Sequence, residues 1–208
     1  MAQFFSIHPE HPQPRLIKQA AEMLRQGGLI AFPTDAAYAL GGHTGDASLL
    51  ERIRRIRQVD ERHHFTLMCR DLSEIATYAR VDNAQFRLLK QATPGSYTFI
   101  LEGSKELPKR VLHPKRKTIG LRIPDHPIAR ALLDELDEPL LTSTLLLPGD
   151  EYPLTEAEDI RQRLEKQIDL VIDGGHCGIE VTTVINLADG DPEVIRVGRG
   201  PVASLGLG

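Results

Sequence analysis

Apolar positions in this chain recur at two spacings, and the switching between them lays out helices and strands in alternation. Pro14 opens a segment whose Leu16, Ile17, Ala20, Met23 and Leu24 share one side, closed by Gly27, which predicts an amphipathic helix. The apolar run 29–32 follows a glycine pair and predicts a buried strand, stopped by Pro33 because proline has no N–H to donate to a ladder. Leu49, Leu50, Ile53 and Ile56 mark a second amphipathic helix, basic on its other side. Residues 65–69 read as a strand, and Asp71 with Glu74 and Asp82 with Gln85 have the spacing of capping boxes for two further helices. Residues 97–101 and 117–123 predict strands on either side of a basic loop, 103–116. Ile128, Leu132, Leu133 and Leu136 mark a helix, 140–147 a largely buried strand, and Thr155 with Glu158 the capped start of another helix. Short strands near 170–173, 182–187 and 193–197 end the pattern.

Such alternation predicts an α/β sandwich, and the helix-free pairs near the end predict some antiparallel neighbours. With no repeat, low-complexity tract or linker, residues 1–208 are expected to form one domain. Apolar residues are 41% and charged residues 26%, ordinary for a soluble globular chain able to bury a full core. No apolar run approaches the ~18 residues a bilayer requires. Residues 1–6 show no basic region leading into an apolar one, so neither a membrane span nor a signal peptide is expected, and the location predicted is cytoplasmic. Cys69 and Cys177 fit no zinc or redox spacing and are read as reduced thiols.

Charge changes the picture more than composition does. The net charge is −4, yet residues 52–70 hold six arginines against Asp60 and Glu61. Residues 105–122 hold Lys105, Lys109, Arg110, Lys115, Arg116, Lys117 and Arg122 against Glu106. Residues 134–169 reverse this, with eleven acidic and three basic groups. Positive clusters in an acidic protein point to an anionic ligand held locally. Arg122 is the sharpest case, because it lies within an apolar strand where an unpaired charge is expensive.

Several common motifs are absent. There is no Walker A loop, no Rossmann glycine spacing, no His-Glu-x-x-His helix and no Gly-x-Ser-x-Gly elbow. No metal ligand set is assigned, and the adjacent His63 and His64 are read as loop or surface residues that point apart. A nucleotide site in this chain must therefore be built from dispersed hydroxyls, arginines and backbone amides. The stretch from Pro33 to Leu40 offers Thr34, Asp35 and Tyr38 at the end of a core strand, where ligands bind in open α/β sheets.

These segments, taken in order, resemble the YrdC/YciO-like family, whose enzyme members are threonylcarbamoyl-AMP synthases. Pro33-Thr34-Asp35-Ala36-Ala37-Tyr38-Ala39-Leu40 is similar to its proline-threonine-acid signature, and Arg55-Ile56-Arg57 stands where it has lysine-x-arginine. Thr93–Thr98, Thr118–Pro124, Thr142-Ser143, Thr182–Ile185 and Ile195-Arg196 resemble later segments, so the match covers about residues 12–200. The spelling Arg-x-Arg-Gln and Phe-Thr-Leu-Met-Cys resembles the YciO branch most. The resemblance implies a twisted mixed sheet, parallel and antiparallel, flanked by helices and with a positively charged concave face. It implies a nucleotidyltransferase that joins L-threonine, bicarbonate and ATP into threonylcarbamoyl-AMP with release of pyrophosphate, supplying a tRNA modification. Thr34 and Tyr38 would meet the amino acid, with Asp35 shaping the turn, and Arg122 would hold the threonine carboxylate or phosphate. Arg55 and Arg57 would grip phosphates, while Thr118, Ser143, Thr182 and Arg196 would surround the nucleotide, with Mg2+ carried mainly by the phosphates.

Departures from the family pattern are also legible. Arg55 replaces the lysine, Leu145 falls near the usual asparagine, Cys69 stands where synthases often carry histidine, and Gln58 or Val59 replaces a proline. They imply weakened synthase activity or an altered substrate. Two other readings stay open: a binding protein for tRNA or double-stranded RNA using the basic clusters, and a different acyl-adenylate or carbamoyl-transfer enzyme on the same scaffold.

Overall fold

In the computed structural model, which describes residues 1–207, one ten-stranded mixed sheet runs through the molecule. Its strands are β1 (Gln3–Ser6), β2 (Ile30–Phe32), β3 (Ala39–His43), β4 (Thr66–Met68), β5 (Tyr97–Glu102), β6 (Thr118–Arg122), β7 (Leu140–Thr144), β8 (Leu170–Asp173), β9 (Thr183–Asn186) and β10 (Glu193–Arg196). Their order across the sheet is β1-β8-β2-β3-β7-β4-β6-β5-β9-β10. β1 and β2 lie parallel to β8, β4 to β6 and β5 to β9; the other pairs are antiparallel. Six helices flank it: α1 (Pro14–Arg25), α2 (Ala47–Arg57), α3 (Leu72–Tyr78), α4 (Asn83–Ala92), α5 (Pro127–Leu136) and α6 (Ala157–Leu164). The domain expected over 1–208 ends at Gly208, which lies outside the described residues. No helix among the described residues is long and apolar enough to cross a membrane.

The helix signals act locally, with two corrections. Pro14 occupies the first turn of α1, and beyond the helix Gly27 takes φ +89°, a left-handed conformation that glycine adopts without a Cβ penalty. Asp82 and Gln85 form a complete capping box on α4. On α3 only half forms: Asp71 accepts from the Glu74 N–H, but Glu74 reaches past it to the Arg70 N–H at 2.7 Å. The Thr155 cap is not made, because α6 starts one residue later on Glu156, whose carboxylate instead meets His176 Nδ1 at 2.7 Å. The strand expected over 140–147 ends at Thr144, where the chain turns away after Leu145 N–H bonds the Tyr38 carbonyl.

The two sheet faces are filled differently. One face buries Phe99, Leu101, Ile119, Leu121, Leu67, Leu141, Leu40 and Ile185 against α2, α4 and α6 in a continuous core. The other buries Ile30, Phe32, Leu140, Leu170 and Ile172 beneath α1 and α5. That second cover spans only part of the sheet. Over β4, β5, β6 and β9 the second face carries a cavity instead of a helix.

Candidate functional site

The cavity holds about 340 Å³, within the range of small-molecule sites. Its floor follows directly from strand periodicity. Alternate residues Thr98 and Ile100 of β5, Gly120 and Arg122 of β6, Thr66 and Met68 of β4, and Thr142 and Thr144 of β7 line it. Register places them side by side: Ile100 opposite Gly120, Thr66 opposite both Gly120 and Thr142, Met68 opposite Arg122. Gly120 keeps the floor flat, since a Cβ there would come within 2.8 Å of Thr98 Cγ2 and 3.1 Å of Thr66 Oγ1. Walls come from the 33–40 segment, from α2 and the loop after it, and from residues near Thr182 and Arg196.

Arg122 is 6% exposed and its charge is met by an ion pair with Asp35. Asp35 therefore does more than shape a turn: its other oxygen accepts from Ser96 Oγ at 3.1 Å, tying the octapeptide to the residue that leads into β5. Arg122 Nε is buried with no hydrogen-bond partner among the described residues. Burial presses the Arg122 guanidinium toward lower pKa, and Asp35 opposes that. Nearby, Thr34 Oγ1 donates to the Ala37 carbonyl at 2.6 Å and accepts from the Ala36 N–H at 3.0 Å, so most of its capacity is engaged inside the turn. Tyr38 donates its hydroxyl to the Gly175 carbonyl at 2.6 Å, and burial above all holds the phenol above its ordinary range, hence neutral.

At the opposite end Arg57, the last residue of α2, reaches over the sheet. Its Nε donates to the Leu146 carbonyl at 3.1 Å and its Nη1 to Ser143 Oγ at 2.6 Å. Burial, then the charge of Arg196, lowers the Arg57 pKa. Arg196 is anchored through Nε and Nη2 on the Thr182 carbonyl, at 3.0 and 2.9 Å. Thr182 Oγ1 in turn lies 2.7 Å from Thr98 Oγ1. The lining thus carries Arg57, Arg122 and Arg196, and no carboxylate side chain among the described residues.

Of the residues expected at the site, Thr34, Tyr38, Arg57, Arg122, Ser143, Thr182 and Arg196 are brought together around this cavity. Thr118 sits one step away on the same face of β6, its hydroxyl 3.0 Å from His64 Nε2. Arg55 is not brought in; helical geometry puts it on the exposed side of α2, two residues from Arg57 and so on another face. Leu145 and Cys69 are fully buried and belong to the apolar core, not to the lining.

His63 and His64, read from sequence as loop or surface residues, lie in the loop before β4, half-buried, and both line the cavity. Sequence reasoning also passed over Thr66, Thr98, Thr142 and Thr144. For two of them the signal was present as alternation of hydroxyls with large apolar residues, as in Phe65-Thr66-Leu67 and Tyr97-Thr98-Phe99.

No cluster of three or more His, Cys, Asp or Glu with metal-binding geometry exists among the described residues. A lining of guanidinium, imidazole and hydroxyl groups suits polyanionic phosphate rather than a protein-held Mg2+.

Comparison with known proteins agrees with this architecture. The family model of the Sua5/YciO/YrdC domain, described as "Telomere recombination", matches residues 22–198. The uncharacterized protein YciO of Escherichia coli (strain K12) is 57% identical over 97% of this chain and 98% of its own length. The crystal structure of E. coli YciO superposes with a TM-score of 0.95 at 56% identity, covering 99% of this chain and 100% of that one. A threonylcarbamoyl-AMP synthase of Bacillus subtilis (strain 168) is 31% identical over 88% of this chain, which spans 53% of that enzyme. P. abyssi Sua5 complexed with L-threonine superposes with a TM-score of 0.86 at 25% identity, over 94% of this chain and 57% of that one. On these matches the chain belongs to the Sua5/YciO/YrdC family.

Proposed function

We propose that the chain is an ATP-dependent synthase of the L-threonylcarbamoyladenylate type. It would convert L-threonine, bicarbonate and ATP into threonylcarbamoyl-AMP, pyrophosphate and water. The observation that carries this reading is the cavity itself: three anchored arginines and a floor of hydroxyls, without a lining carboxylate, in a family with threonylcarbamoyl-AMP synthases. The reaction needs no protein nucleophile. Threonine's amine and bicarbonate form a carbamate, the carbamate oxygen attacks the α-phosphorus, and the bond to pyrophosphate breaks. Catalysis is then positioning and charge stabilisation, which fixed guanidiniums supply.

In this reading Arg122, with its unpartnered Nε, receives the threonine carboxylate, and Thr34 and Tyr38 shape the pocket beside it. Arg57 and Arg196 take the phosphates, and Thr118, Ser143 and Thr182 face the nucleotide end. Arg55, outside the cavity, has no part. Mg2+ would arrive on the phosphates, and no step here runs through it. The product would feed tRNA threonylcarbamoyladenosine modification.

A second reading rests on the exposed Lys105, Lys109, Arg110, Lys115, Arg116 and Lys117, which suit the backbone of tRNA or double-stranded RNA. One assay separates the two. Purified protein is incubated with ATP, Mg2+, bicarbonate and L-threonine while pyrophosphate and the adenylate are followed. Threonine-dependent turnover abolished by Arg122→Met is expected. Absence of turnover, with salt-sensitive RNA binding that survives Arg122→Met, would leave the RNA reading.

A further inference from the structure

Arg57 is expected to meet phosphate, yet two of its three nitrogens are already engaged. Nε is on the Leu146 carbonyl, and Nη1 is shared between Ser143 Oγ at 2.6 Å and His63 Nε2 at 3.2 Å. His63 Nε2 is also 3.1 Å from Ser143 Oγ, so the three side chains close a triangle. A guanidinium can only donate, so Nε2 must offer its lone pair. The Ser143 hydroxyl then accepts from Arg57 and turns its own hydrogen toward the same lone pair. This pattern requires a neutral imidazole with the proton on Nδ1.

The surroundings hold it so. Arg54 and Arg57 of α2 and His64 of the same loop disfavour an imidazolium, Asp60 alone favours one, and β7 contributes only the uncharged Ser143. Burial is the largest influence, and with these charges it lowers the His63 pKa to about 4. The ring is also packed edge-on against Phe65, centroids 5.2 Å apart. The loop can return to Arg57 because Gln58 ends α2 with φ 53°, which a proline, locked near −65°, could not adopt.

We propose that His63 is a positioning residue for the phosphate end of the cavity: a neutral acceptor that fixes Arg57 and Ser143 so that Arg57 Nη2 is left for the anion. The choice of residue follows from charge. A carboxylate at this place would hold Arg57 equally well but neutralise it against the incoming phosphate. A cation would push it away. Only an uncharged acceptor orients the guanidinium and leaves its full charge to the ligand. The inference rests on the proposed ATP-dependent function for its ligand, but not for its geometry.

The test uses the full chain and its His63→Gln, His63→Glu and His63→Lys variants, with folding checked by thermal melts. Calorimetry with Mg-ATP and with inorganic pyrophosphate should place His63→Gln within about threefold of the parent. His63→Glu and His63→Lys should each weaken both ligands more than tenfold. In turnover the loss should fall on KM for ATP, leaving KM for L-threonine unchanged. Equal binding by all four proteins, or a Gln variant as weak as the Glu variant, would overturn the proposal. Histidine 15N NMR of the free protein is the independent arm. It should show His63 protonated on Nδ1 alone at pH 7, with a signal that shifts on Arg57→Met. An Nε2-protonated or charged His63 would overturn the positioning role even if no variant folds. A parent protein that binds neither ATP nor pyrophosphate, yet shows the expected His63 tautomer, would instead refute the ATP-dependent reading.

Discussion

Leu121 and Arg122 are neighbours on one strand and face opposite worlds. Leu121 is fully buried among apolar side chains beneath the helices, while Arg122 is buried in a polar cavity opposite an aspartate. The same division runs across β5 and β4: Phe99 and Leu67 on one face, Thr98 and Thr66 on the other. A single set of backbone ladders thus serves two purposes. Apolar burial on one face holds the strands in register, and that fixed register sets the spacing of hydroxyls and guanidiniums on the other. Where α1 and α5 cover the second face it too becomes core; where they stop, it becomes a site.

The contrast is most open to attack at the buried ion pair. Arg122→Met should destabilise the fold by about 3–5 kcal/mol in denaturant melts, since Asp35 is left buried without its partner. Adding Asp35→Leu should restore most of that stability while turnover stays lost. A double variant as unstable as the single one would mean Arg122 matters through packing, and the two faces would not be separable. Next in size, Leu121→Ala should cost about 2–5 kcal/mol by opening a cavity in the apolar face. Ligand affinity per folded molecule should change by less than about twofold. A large affinity loss would show that the core face tunes the site as well as supporting it.

Acid probes the polar face through His63. His63 has a folded pKa of about 4, below the ordinary ~6.5, so the unfolded chain binds more protons between those values. Stability should therefore fall as pH drops from about 6.5 to 4, by on the order of 2 kcal/mol. His63→Gln should remove that part of the loss, which a comparison of melts at pH 7 and pH 4.5 would detect. The smallest effect expected is from Thr142→Val, which removes the Thr142 Oγ1 bond to the Thr66 carbonyl at 2.9 Å for about 1 kcal/mol. Its value is as a control, because it alters the floor without touching charge.

Much of the scaffold was legible because its signals are local. Pro14, the Asp82–Gln85 box and the apolar spacing of α2 and α5 act within one or two turns of chain. The Thr155 cap failed because α6 starts one residue later, with Glu156 at the N-cap position and its carboxylate on His176. Seven of the expected site residues gather at one cavity because the family motifs mark strand ends and strand faces. The partner of Arg122 was not legible, since Asp35 is distant in sequence and meets it only through packing. Nor was His63: nothing in a His-His pair announces that a left-handed turn at Gln58 will lay one ring against Arg57.

The order of strands also has a consequence for how the molecule comes into being. The cavity draws on segments from Thr34 to Arg196, and β9 and β10, which carry its last wall, join at the sheet edge beside β5. β1 must likewise wait for β8 before it has a neighbour. Such distant pairings are slow to form, because loop closure precedes the contacts that reward it. As the chain emerges during synthesis, the cavity is completed only when Thr182 and Arg196 arrive. The cavity is thus a property of the closed sheet, complete only when its far edge is in place.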